Sequence, residues 1–298
     1  MRSVSTAEFE AERPRLRAIA YSILGSLADA EDAVQEAWLR WERQPAGSVR
    51  SPRDWLATVV TRISLDEWGS ARRRREAYVG EWLPEPDVGP LDASADAAAT
   101  ADEVELALLV VLERLSPAER AAFVLCDVFG YAAPEAAAAL DRTPAAVRQL
   151  ASRARRHVRE ARPERPVDRV RHRRTVDAFA AACEGRDIDR LMTLLDEDVT
   201  FVSDGGGRVK AAGRPLLGRE RVAGALAAFA GTLDRRGEAV DIATVTVNGE
   251  AGMLVRSDGL LTVFALESRG GRITALRAIR NPDKLAGVYR SERELLPG

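Results

Sequence analysis

Residues 131–162 read YAAPEAAAALDRTPAAVRQLASRARRHVREAR. The apolar run at 134–140 predicts a short helix, and Asp141-Arg142 predicts a tight turn after it. Thr143-Pro144 is typical of a second helix start, because a hydroxyl cap and a proline at the first helical position both favour initiation. A short helix, a turn and a longer helix form the layout of a helix-turn-helix. We therefore predict this motif for residues 131–162.

The second helix of the motif carries opposite chemistry on its two faces. On a helical wheel, one face is apolar and consists of Val147, Leu150, Ala151, Ala154, Val158 and Ala161. The opposite face offers guanidinium groups and an amide, which are the groups that read base edges and hold phosphates. We predict that this face binds DNA through Arg148, Gln149, Ser152, Arg153, Arg156 and Arg159.

The local charge supports DNA binding better than the global charge does. The 298-residue chain has a net charge of −2, which argues against coating nucleic acid through bulk charge. Residues 142–174, however, contain twelve Arg and three acidic residues, a local charge of +9. A solvated arginine face is the plainer interpretation of such a run. The turn, the cap and the basic face coincide here, and that coincidence favours DNA binding.

Residues 1–76 and 102–162 are both predicted to be all-α. Each has apolar stripes at helical spacing. Helix starts, marked by a Ser followed three residues later by an acid, lie at Ser26, Ser51 and Ser116. Between the two segments, residues 77–101 contain five acidic residues, three prolines and no basic residue. We therefore predict two helical domains joined by a mostly irregular acidic linker.

Residues 168–285 change pattern and predict an α+β domain. Helical stretches at 169–184, 187–196 and 219–233 accompany a short strand at 200–203. Four strand-like runs follow, separated by Gly, Asn-Gly or Asp-Gly turns, at 240–247, 251–257, 260–267 and 272–279. Helices first and an antiparallel sheet after them are typical of the α+β class. Residues 286–298 are interpreted as a C-terminal tail.

Composition excludes several classes of site. The cysteines, Cys126 and Cys183, lie far apart, and the histidines, His157 and His172, lie beside arginines. A zinc knuckle, a disulfide framework and a His-rich metal site are therefore excluded, and neither a metal nor another cofactor is expected. No apolar run reaches the ~18–20 residues of a membrane helix, and the charged start is unlike a signal peptide. We expect a cytoplasmic protein.

Two further groups of side chains stand out in the first helical domain. Arg72-Arg73-Arg74-Arg75 ends a long helix that carries other polar residues upstream. Such a run complements the helix dipole, but beside a second DNA-binding element it favours a phosphate contact. Residues 29–36, DAEDAVQE, place acidic side chains on an exposed face. This stretch lacks a His or a Gly loop and is a poor metal site. The acidic side chains therefore serve either to dock another protein or simply to keep the surface soluble.

The residues of these segments resemble a known family. Residues 21–41, YSILGSLADAEDAVQEAWLRW, and their continuation through 51–75 resemble region 2 of the extracytoplasmic-function sigma factors of the sigma-70 family, and residues 102–160 resemble their region 4. Three motifs resemble a subgroup with a fused SnoaL-like domain of the NTF2-like fold: WLPEP at 82–86, DGGG at 204–207 and NPDK at 281–284. The resemblance covers nearly the whole chain. It implies a multidomain fold with a region 2 helical bundle, a region 4 helix-turn-helix and an α+β domain with a curved antiparallel sheet.

The resemblance also implies a role for each segment. Its region 2 docks on the clamp helices of the RNA polymerase β′ subunit, and we choose as contacts Asp29, Asp32, Gln35, Glu36 and Arg40. The part that opens and reads the −10 promoter element corresponds here to Arg62, Asp66, Arg72, Arg73 and Arg74. The helix at 148–156 matches the reader of the −35 element. The acidic linker matches a segment that threads through polymerase near the path of nucleic acid.

The C-terminal domain is implied to regulate the chain in place of a separate anti-sigma protein. We expect it to contact the sigma regions or the linker through Trp82, Pro84, Glu85, Asp204, Gly205, Gly206 and Gly207. A mobile turn is the plainer interpretation of the glycines. Covalent fusion gives a roughly millimolar effective concentration, so a weak contact suffices. The acid/base candidates form no obvious pair, and no enzyme is expected; they are Asp177, Asp187, Asp189, Asp204 and Asp241.

These patterns together predict a bacterial alternative sigma factor that binds core RNA polymerase and promoter DNA and has no catalytic chemistry of its own. One alternative is a ligand-sensing, one-component helix-turn-helix regulator, which would bind its operator without polymerase and has little need for the acidic face at 29–40. A second alternative is a SnoaL-like isomerase or cyclase with a DNA-binding leader. The missing acid/base pair counts against that enzyme.

Overall fold

A computed structural model describes residues 6–45, 47–91, 104–161, 168–236 and 239–296, and of residues 71–74, 76 and 233–236 it describes the backbone alone. The chain divides into two units, each with its own core. The helical unit comprises Met1–Ala77 and Thr100–Glu164, and the C-terminal unit comprises Tyr78–Ala99 and Arg165–Gly298. The two helical segments that the sequence analysis treats as separate domains therefore share one core, and the start of the linker belongs to the C-terminal unit.

Seven α-helices form the described part of the helical unit. They are α1 (Thr6–Leu24), α2 (Leu27–Glu42), α3 (Pro52–Glu76), α4 (Leu106–Leu112), α5 (Pro117–Phe123), α6 (Ala133–Leu140) and α7 (Pro144–Ala161). A π-helical turn over Val124–Val128 extends α5. The predicted start signals are confirmed, because the hydroxyls of Ser26, Ser51 and Thr143 each accept a backbone N–H from the first turn.

The apolar stripes predicted from helical spacing form the core of this unit. Ile19, Ile23 and Leu56 are fully buried, and the Trp41 and Trp55 rings lie 5.5 Å apart between centroids. Leu109 in α4 lies in the same cluster. Because both helical segments contribute to one apolar interior, burial of their facing surfaces holds the region 2 segment (residues 1–76) against the region 4 segment (residues 102–162).

The helix-turn-helix forms where the sequence predicts it. Asp141 ends α6 in the left-handed region with φ 50°, which an Asp tolerates better than most residues. The polar N-cap that is missing before α6 is partly replaced, because the Glu135 carboxylate accepts the Ala132 N–H at 2.6 Å. The turn therefore has a defined geometry at both of its helix ends.

The capping box at the start of α5 provides a test of local helix energetics. The Ser116 hydroxyl and the Glu119 carboxylate cap each other's backbone N–H groups, and the Ser116 hydrogen bond lowers the pKa of Glu119. Ser116→Ala is expected to cost about 1 kcal/mol in urea unfolding, and Ser116→Asp to restore most of it. Since the pKa of Glu119 is lowered on folding, this contribution is present at neutral pH and is lost as the pH falls through the titration of Glu119. Equal stability of the Ala and Asp variants would contradict a capping role.

Within its described residues, the C-terminal unit combines four α-helices with one sheet. The helices are α8 (Arg169–Glu184), α9 (Ile188–Leu194), α10 (Arg219–Arg236) and α11 (Ala286–Leu295), and the strands are β1 (Val88–Pro90), β2 (Leu195–Asp204), β3 (Leu216–Leu217), β4 (Val240–Val247), β5 (Glu250–Ser257), β6 (Leu260–Arg269) and β7 (Arg272–Ile279). The predicted fold class is confirmed. The segment interpreted as a tail contains α11, whose Tyr289 hydroxyl accepts the Leu261 N–H at 3.0 Å.

The sheet has the strand order β1-β4-β5-β6-β7-β2-β3. All neighbours are antiparallel except β2 and β7, which are parallel. Register shifts lie between Leu195 and Thr200 and between Glu267 and Ser268, and such irregularities bend a sheet. β1 comes from the segment predicted to be mostly irregular, and it pairs with β4 from Val88↔Val247 to Pro90↔Val245.

Buried polar groups in this unit serve its structure. His172 is buried, with Nδ1 2.7 Å from Ser268 Oγ and Nε2 3.0 Å from the Ala251 carbonyl oxygen. Burial raises the pKa of the Cys183 thiol to about 12, so this thiol stays protonated.

None of the helices in the described ranges is long and apolar enough to cross a membrane.

Candidate functional site

The outer face of α7 is open to solvent. Val147, Ala151 and Ala154 are buried, as the wheel predicts. The six side chains predicted to bind DNA are all exposed: Arg148, Gln149, Ser152, Arg153, Arg156 and Arg159. Arg153 Nε forms a loose ion pair with Glu119 at 3.6 Å. The neighbouring Arg155 pairs with Asp127 at 2.6 Å, so this arginine has a structural partner within the helical unit.

The acidic face of α2 is also accessible. Asp32, Gln35 and Arg40 are exposed, whereas Asp29 and Glu36 are half-buried. Arg40 pairs with Glu36 at 2.9 Å on the helix surface. The backbone N–H of Asp29 donates to the Ser26 cap, so this residue also belongs to the start of α2. The five residues thus form one surface along a single helix.

The residues predicted to read the −10 element lie along α3, from its middle to its C-terminal end. Asp66 is exposed. Arg62 donates from Nε to the Ala139 carbonyl at 3.4 Å and from Nη2 to the Ala138 carbonyl at 2.5 Å, which are both in α6. Arg62 is thereby tied to the region 4 segment. The side chains of Arg72, Arg73 and Arg74 lie outside the described residues.

A charged cluster that the sequence analysis missed joins the two helical segments. Glu113 pairs with Arg75 of α3 and with Arg120 of α5. The Arg120 side chain is 0% exposed, and its Nε donates to the Ser22 carbonyl at 2.7 Å. Both guanidiniums lie 4.8 Å from the centre of the Trp68 ring, one of them from each segment. We call these four residues the interdomain cluster.

A second buried charge holds the linker to the C-terminal unit. Asp204, at the end of β2, is 0% exposed. Its Oδ1 accepts the Tyr78 hydroxyl at 2.5 Å and the Gly206 N–H at 3.1 Å. Its Oδ2 accepts the Leu83 N–H at 2.9 Å and pairs with Lys284 Nζ at 2.7 Å. Four donors therefore satisfy this carboxylate, and two of them come from residues 78–91, which we call the docked segment.

The NPDK motif completes the same cluster. Lys284 Nζ also donates to the Leu83 carbonyl and lies 4.2 Å from the Trp82 ring and 4.7 Å from the Tyr78 ring. The Asn281 amide donates to the Tyr78 hydroxyl at 2.8 Å. Burial and the hydrogen bond to Asp204 raise the pKa of Tyr78, so its hydroxyl remains a donor. We call these contacts the linker cluster.

The glycines of the DGGG motif are required by space and by backbone conformation. A Cβ at Gly206 (φ +60°) would lie 2.3 Å from the Asn281 amide and 2.9 Å from the Tyr78 hydroxyl. A Cβ at Gly207 (φ +68°) would lie 3.1 Å from Val79. Asn281, Tyr78 and Val79 all belong to the linker cluster or the docked segment, so these two glycines allow a close approach between the motif and the linker.

The rest of the docked segment adds to this attachment. Pro84 is buried, Trp82 and Glu85 are half-buried, and β1 extends the edge of the sheet. The Asp87 carbonyl accepts the Asn248 N–H at 2.7 Å, and the Asp87 N–H donates to the Asn248 side chain at 3.2 Å. Three residues outside the predicted set contribute side-chain contacts to the linker cluster: Tyr78, Asn281 and Lys284. Lys284 had a signal in the sequence, because it is one of two lysines in the chain.

The C-terminal unit also encloses a cavity of about 550 Å³ between α10 and strands β2, β6 and β7. None of the five aspartates considered as acid/base candidates lines it. Asp177 accepts from Thr244, Asp187 caps α9, Asp189 is exposed, Asp241 pairs with Arg256, and Asp204 lies in the linker cluster. Among the described residues, Asp258 at the β5–β6 turn is the carboxylate that borders the cavity.

Comparisons with known proteins agree with this arrangement. Residues 9–74 match the family model for sigma-70 region 2, and residues 105–158 match that for sigma-70, region 4. The ECF RNA polymerase sigma factor SigJ of Mycobacterium tuberculosis is 41% identical over 309 positions, covering 99% of this chain and 97% of that protein. The probable ECF RNA polymerase sigma factor SigI of the same species is 34% identical and covers 94% of each chain. The crystal structure of SigJ superposes with a TM-score of 0.76 at 38% identity, covering 95% of this chain and 99% of that chain.

Proposed function

Since this chain belongs to the extracytoplasmic-function sigma factors of the sigma-70 family, we propose that it binds core RNA polymerase, recognises −35 and −10 promoter elements and directs transcription initiation in the cytoplasm. The observation that carries this function is the full-length match to sigma factors together with both sigma-70 regions in order. A one-component regulator is not favoured, because its operator binding needs no region 2. An enzyme lacks support from the cavity, whose lining omits the candidate acids.

Three surfaces of the helical unit bind the partners that transcription initiation requires. The exposed face of α7 supplies base and phosphate contacts at the −35 element. The acidic face of α2 docks on the clamp of the β′ subunit, where its charges are complementary to a basic partner. The part of α3 from Arg62 onward, with Arg62, Asp66, Arg72, Arg73 and Arg74, engages the −10 element. The first two assignments rest on exposure and charge together with the family of the chain, and the third rests on that family and on the charge of the arginine run.

The packed helical unit is a closed form that opens on polymerase. Elements at −35 and −10 lie about 25 base pairs apart, or roughly 85 Å of B-DNA at about 3.4 Å per pair. A compact unit of roughly 140 residues has a radius of gyration of about 15 Å. Regions 2 and 4 therefore cannot reach both elements while they share one core. Separation breaks the interdomain cluster and frees Arg62 from the α6 carbonyls.

The C-terminal unit regulates this step by holding the linker. In the family the linker threads through polymerase, whereas here its residues 78–91 are held by the linker cluster and by β1. The two locations exclude each other, because the Leu83 N–H and the β1 edge have one set of partners at a time. Docking of the segment therefore competes with its placement in polymerase, and covalent fusion favours the docked state.

Promoter-directed transcription with purified bacterial core polymerase tests the proposed function. The templates are the region upstream of the chain's own gene and a genomic library, and the full chain is compared with residues 1–166. Specific starts are expected from both proteins, with more product from residues 1–166. Absence of starts together with absence of co-elution with core polymerase would refute a sigma factor. Equal transcript yields from the two proteins would refute the proposed regulation by the C-terminal unit, but not the proposed sigma-factor function.

Replacement of arginines on α7 is expected to weaken promoter recognition. Arg153→Ala or Arg156→Ala should cost about 1–3 kcal/mol in binding of the holoenzyme to promoter DNA where the side chain reads a base, whereas a phosphate contact also lowers the salt slope. The matched control is Arg221→Ala, which removes an exposed arginine from α10 of the C-terminal unit. Unchanged selectivity and unchanged salt dependence in both α7 variants would exclude this helix as the reader.

A further inference from the structure

The cavity of the C-terminal unit has apolar walls and few polar groups. Its volume of about 550 Å³ falls in the range of small-molecule sites, about 300–1,000 Å³. The larger side chains that line it are Phe201, Leu216, Leu226, Phe229, Leu260 and Phe264. They come from β2, β3, α10 and β6, so the walls are fixed by regular secondary structure. A flat or ring-shaped apolar group would replace water against these walls.

One half-buried cation, the guanidinium of Arg280, lines the cavity. Arg280, directly after β7, donates from Nε to the Thr262 hydroxyl at 3.3 Å and from Nη1 to the Lys210 carbonyl at 2.5 Å. These bonds use two of the five N–H donors of the guanidinium. Its centre lies 5.3 Å from the centre of the Phe229 ring, which also lines the cavity. Nη2 has no hydrogen-bond partner among the residues that the structure describes.

Within the ranges that the structure describes, no carboxylate lies within ion-pair distance of this cation. Burial lowers the pKa of Arg280, which indicates a charge that is only partly solvated. The other charged side chains of the lining, Lys210 and Asp258, are both exposed and stand at the rim. A bound anion would supply the missing charge through charge-assisted hydrogen bonds.

We propose that this cavity binds a small molecule that has an apolar, ring-sized body and one carboxylate, with the carboxylate paired to Arg280. The planar guanidinium matches a planar carboxylate through two parallel hydrogen bonds. A single charge fits better than the double charge of a phosphate ester, because one half-buried cation is present and Asp258 borders the entrance. The site shares no residue with the proposed DNA-binding and polymerase-binding surfaces, and the proposal does not depend on the proposed action of the linker.

A purely structural role for Arg280 makes a different prediction. In that case Arg280 only braces the Lys210 carbonyl and covers Phe229. The cavity would then take up apolar molecules with no regard to their charge. The charge of an otherwise identical probe therefore separates the two interpretations without any change to the protein.

The test is calorimetric titration of the full chain with 2-naphthoate and with 2-naphthamide, which has the same ring and no charge. We expect 2-naphthoate to bind at least tenfold more tightly. Arg280→Gln should remove that difference, and Ala225→Phe, which fills the cavity from α10, should abolish binding of both probes. Arg290→Gln makes the same charge change at an exposed site on α11 and should leave both affinities unchanged.

Three results would overturn the proposal. One is equal affinity of the two probes for the unaltered chain, and another is absence of naphthoate binding at millimolar concentration. The third is naphthoate affinity that survives both Arg280→Gln and Ala225→Phe in variants whose circular dichroism is unchanged. Because the comparison of the two probes on the unaltered chain involves no substitution, it decides the question even where Arg280→Gln loosens the Lys210 loop.

Discussion

Asp204→Asn is expected to release the docked segment. The substitution keeps the shape of the side chain but leaves Lys284 without its carboxylate, and breaking such a buried pair costs about 3–5 kcal/mol. The Leu83 N–H, which donates to Asp204 Oδ2, should then exchange with solvent at least tenfold faster. If docking restrains the sigma factor, transcription by the variant with core polymerase should rise severalfold.

Two further variants separate the linker cluster from general loss of stability. Tyr78→Phe removes a hydroxyl that belongs to the docked segment and leaves the C-terminal core intact, so it should produce the same changes on a smaller scale. Glu197→Gln breaks a loose surface pair with Arg219, in which Glu197 is 86% exposed, and should leave both readouts unchanged. Unchanged exchange at Leu83 in the Asp204 variant would contradict its role in docking. Faster exchange with unchanged transcription would contradict regulation through the linker.

Glu113→Gln is expected to lower the free energy of unfolding of the helical unit by about 3–5 kcal/mol. The reason is that Arg120 is fully buried and keeps its charge at any accessible pH, while its carboxylate partner is gone. Urea unfolding followed by tryptophan fluorescence measures the change, since both guanidiniums contact the Trp68 ring. The matched control is Glu36→Gln, which breaks an exposed pair on α2 and should cost less than about 0.5 kcal/mol.

The same variant should bind core polymerase more tightly than the unaltered chain. Part of the binding energy is used to separate regions 2 and 4, and a weaker interdomain cluster lowers that cost. Stability and polymerase affinity are therefore expected to change in opposite directions. A variant in which both quantities fall would contradict the closed form, and similar unfolding costs for Glu113→Gln and Glu36→Gln would show that the cluster is no stronger than a surface pair.

Elements whose signal is local could be predicted from the amino-acid sequence alone. Helical spacing and hydroxyl caps predict α2, α3 and α7, and alternation with Gly turns predicts β4 and β7 with the bounds that the structure has. The exposed face of α7 follows from the same periodicity. These signals are local because one turn of helix or one pair of strand residues already places side chains on opposite faces. The apolar face is then buried, since removing apolar surface from water is favourable.

The resemblance contributed the candidate site in outline and left its chemistry open. It pointed to the WLPEP and DGGG motifs as a contact, but it did not indicate that Asp204 is a buried acceptor or that Tyr78 and Lys284 are its partners. It placed Arg62 at the −10 element, and gave no sign that α6 carbonyls hold it in the closed form. No pattern in the linker predicted β1, because a three-residue edge strand has too little periodicity to detect.

The pairing of the buried charges depends on tertiary packing. Asp204 is 126 residues from Tyr78, 121 from Leu83 and 80 from Lys284, and Glu113 is 38 residues from Arg75. Periodicity within a helix or strand carries no information over such separations. The partners are selected instead by the packing of the cores, which leaves each carboxylate buried and therefore dependent on donors that the fold brings to it.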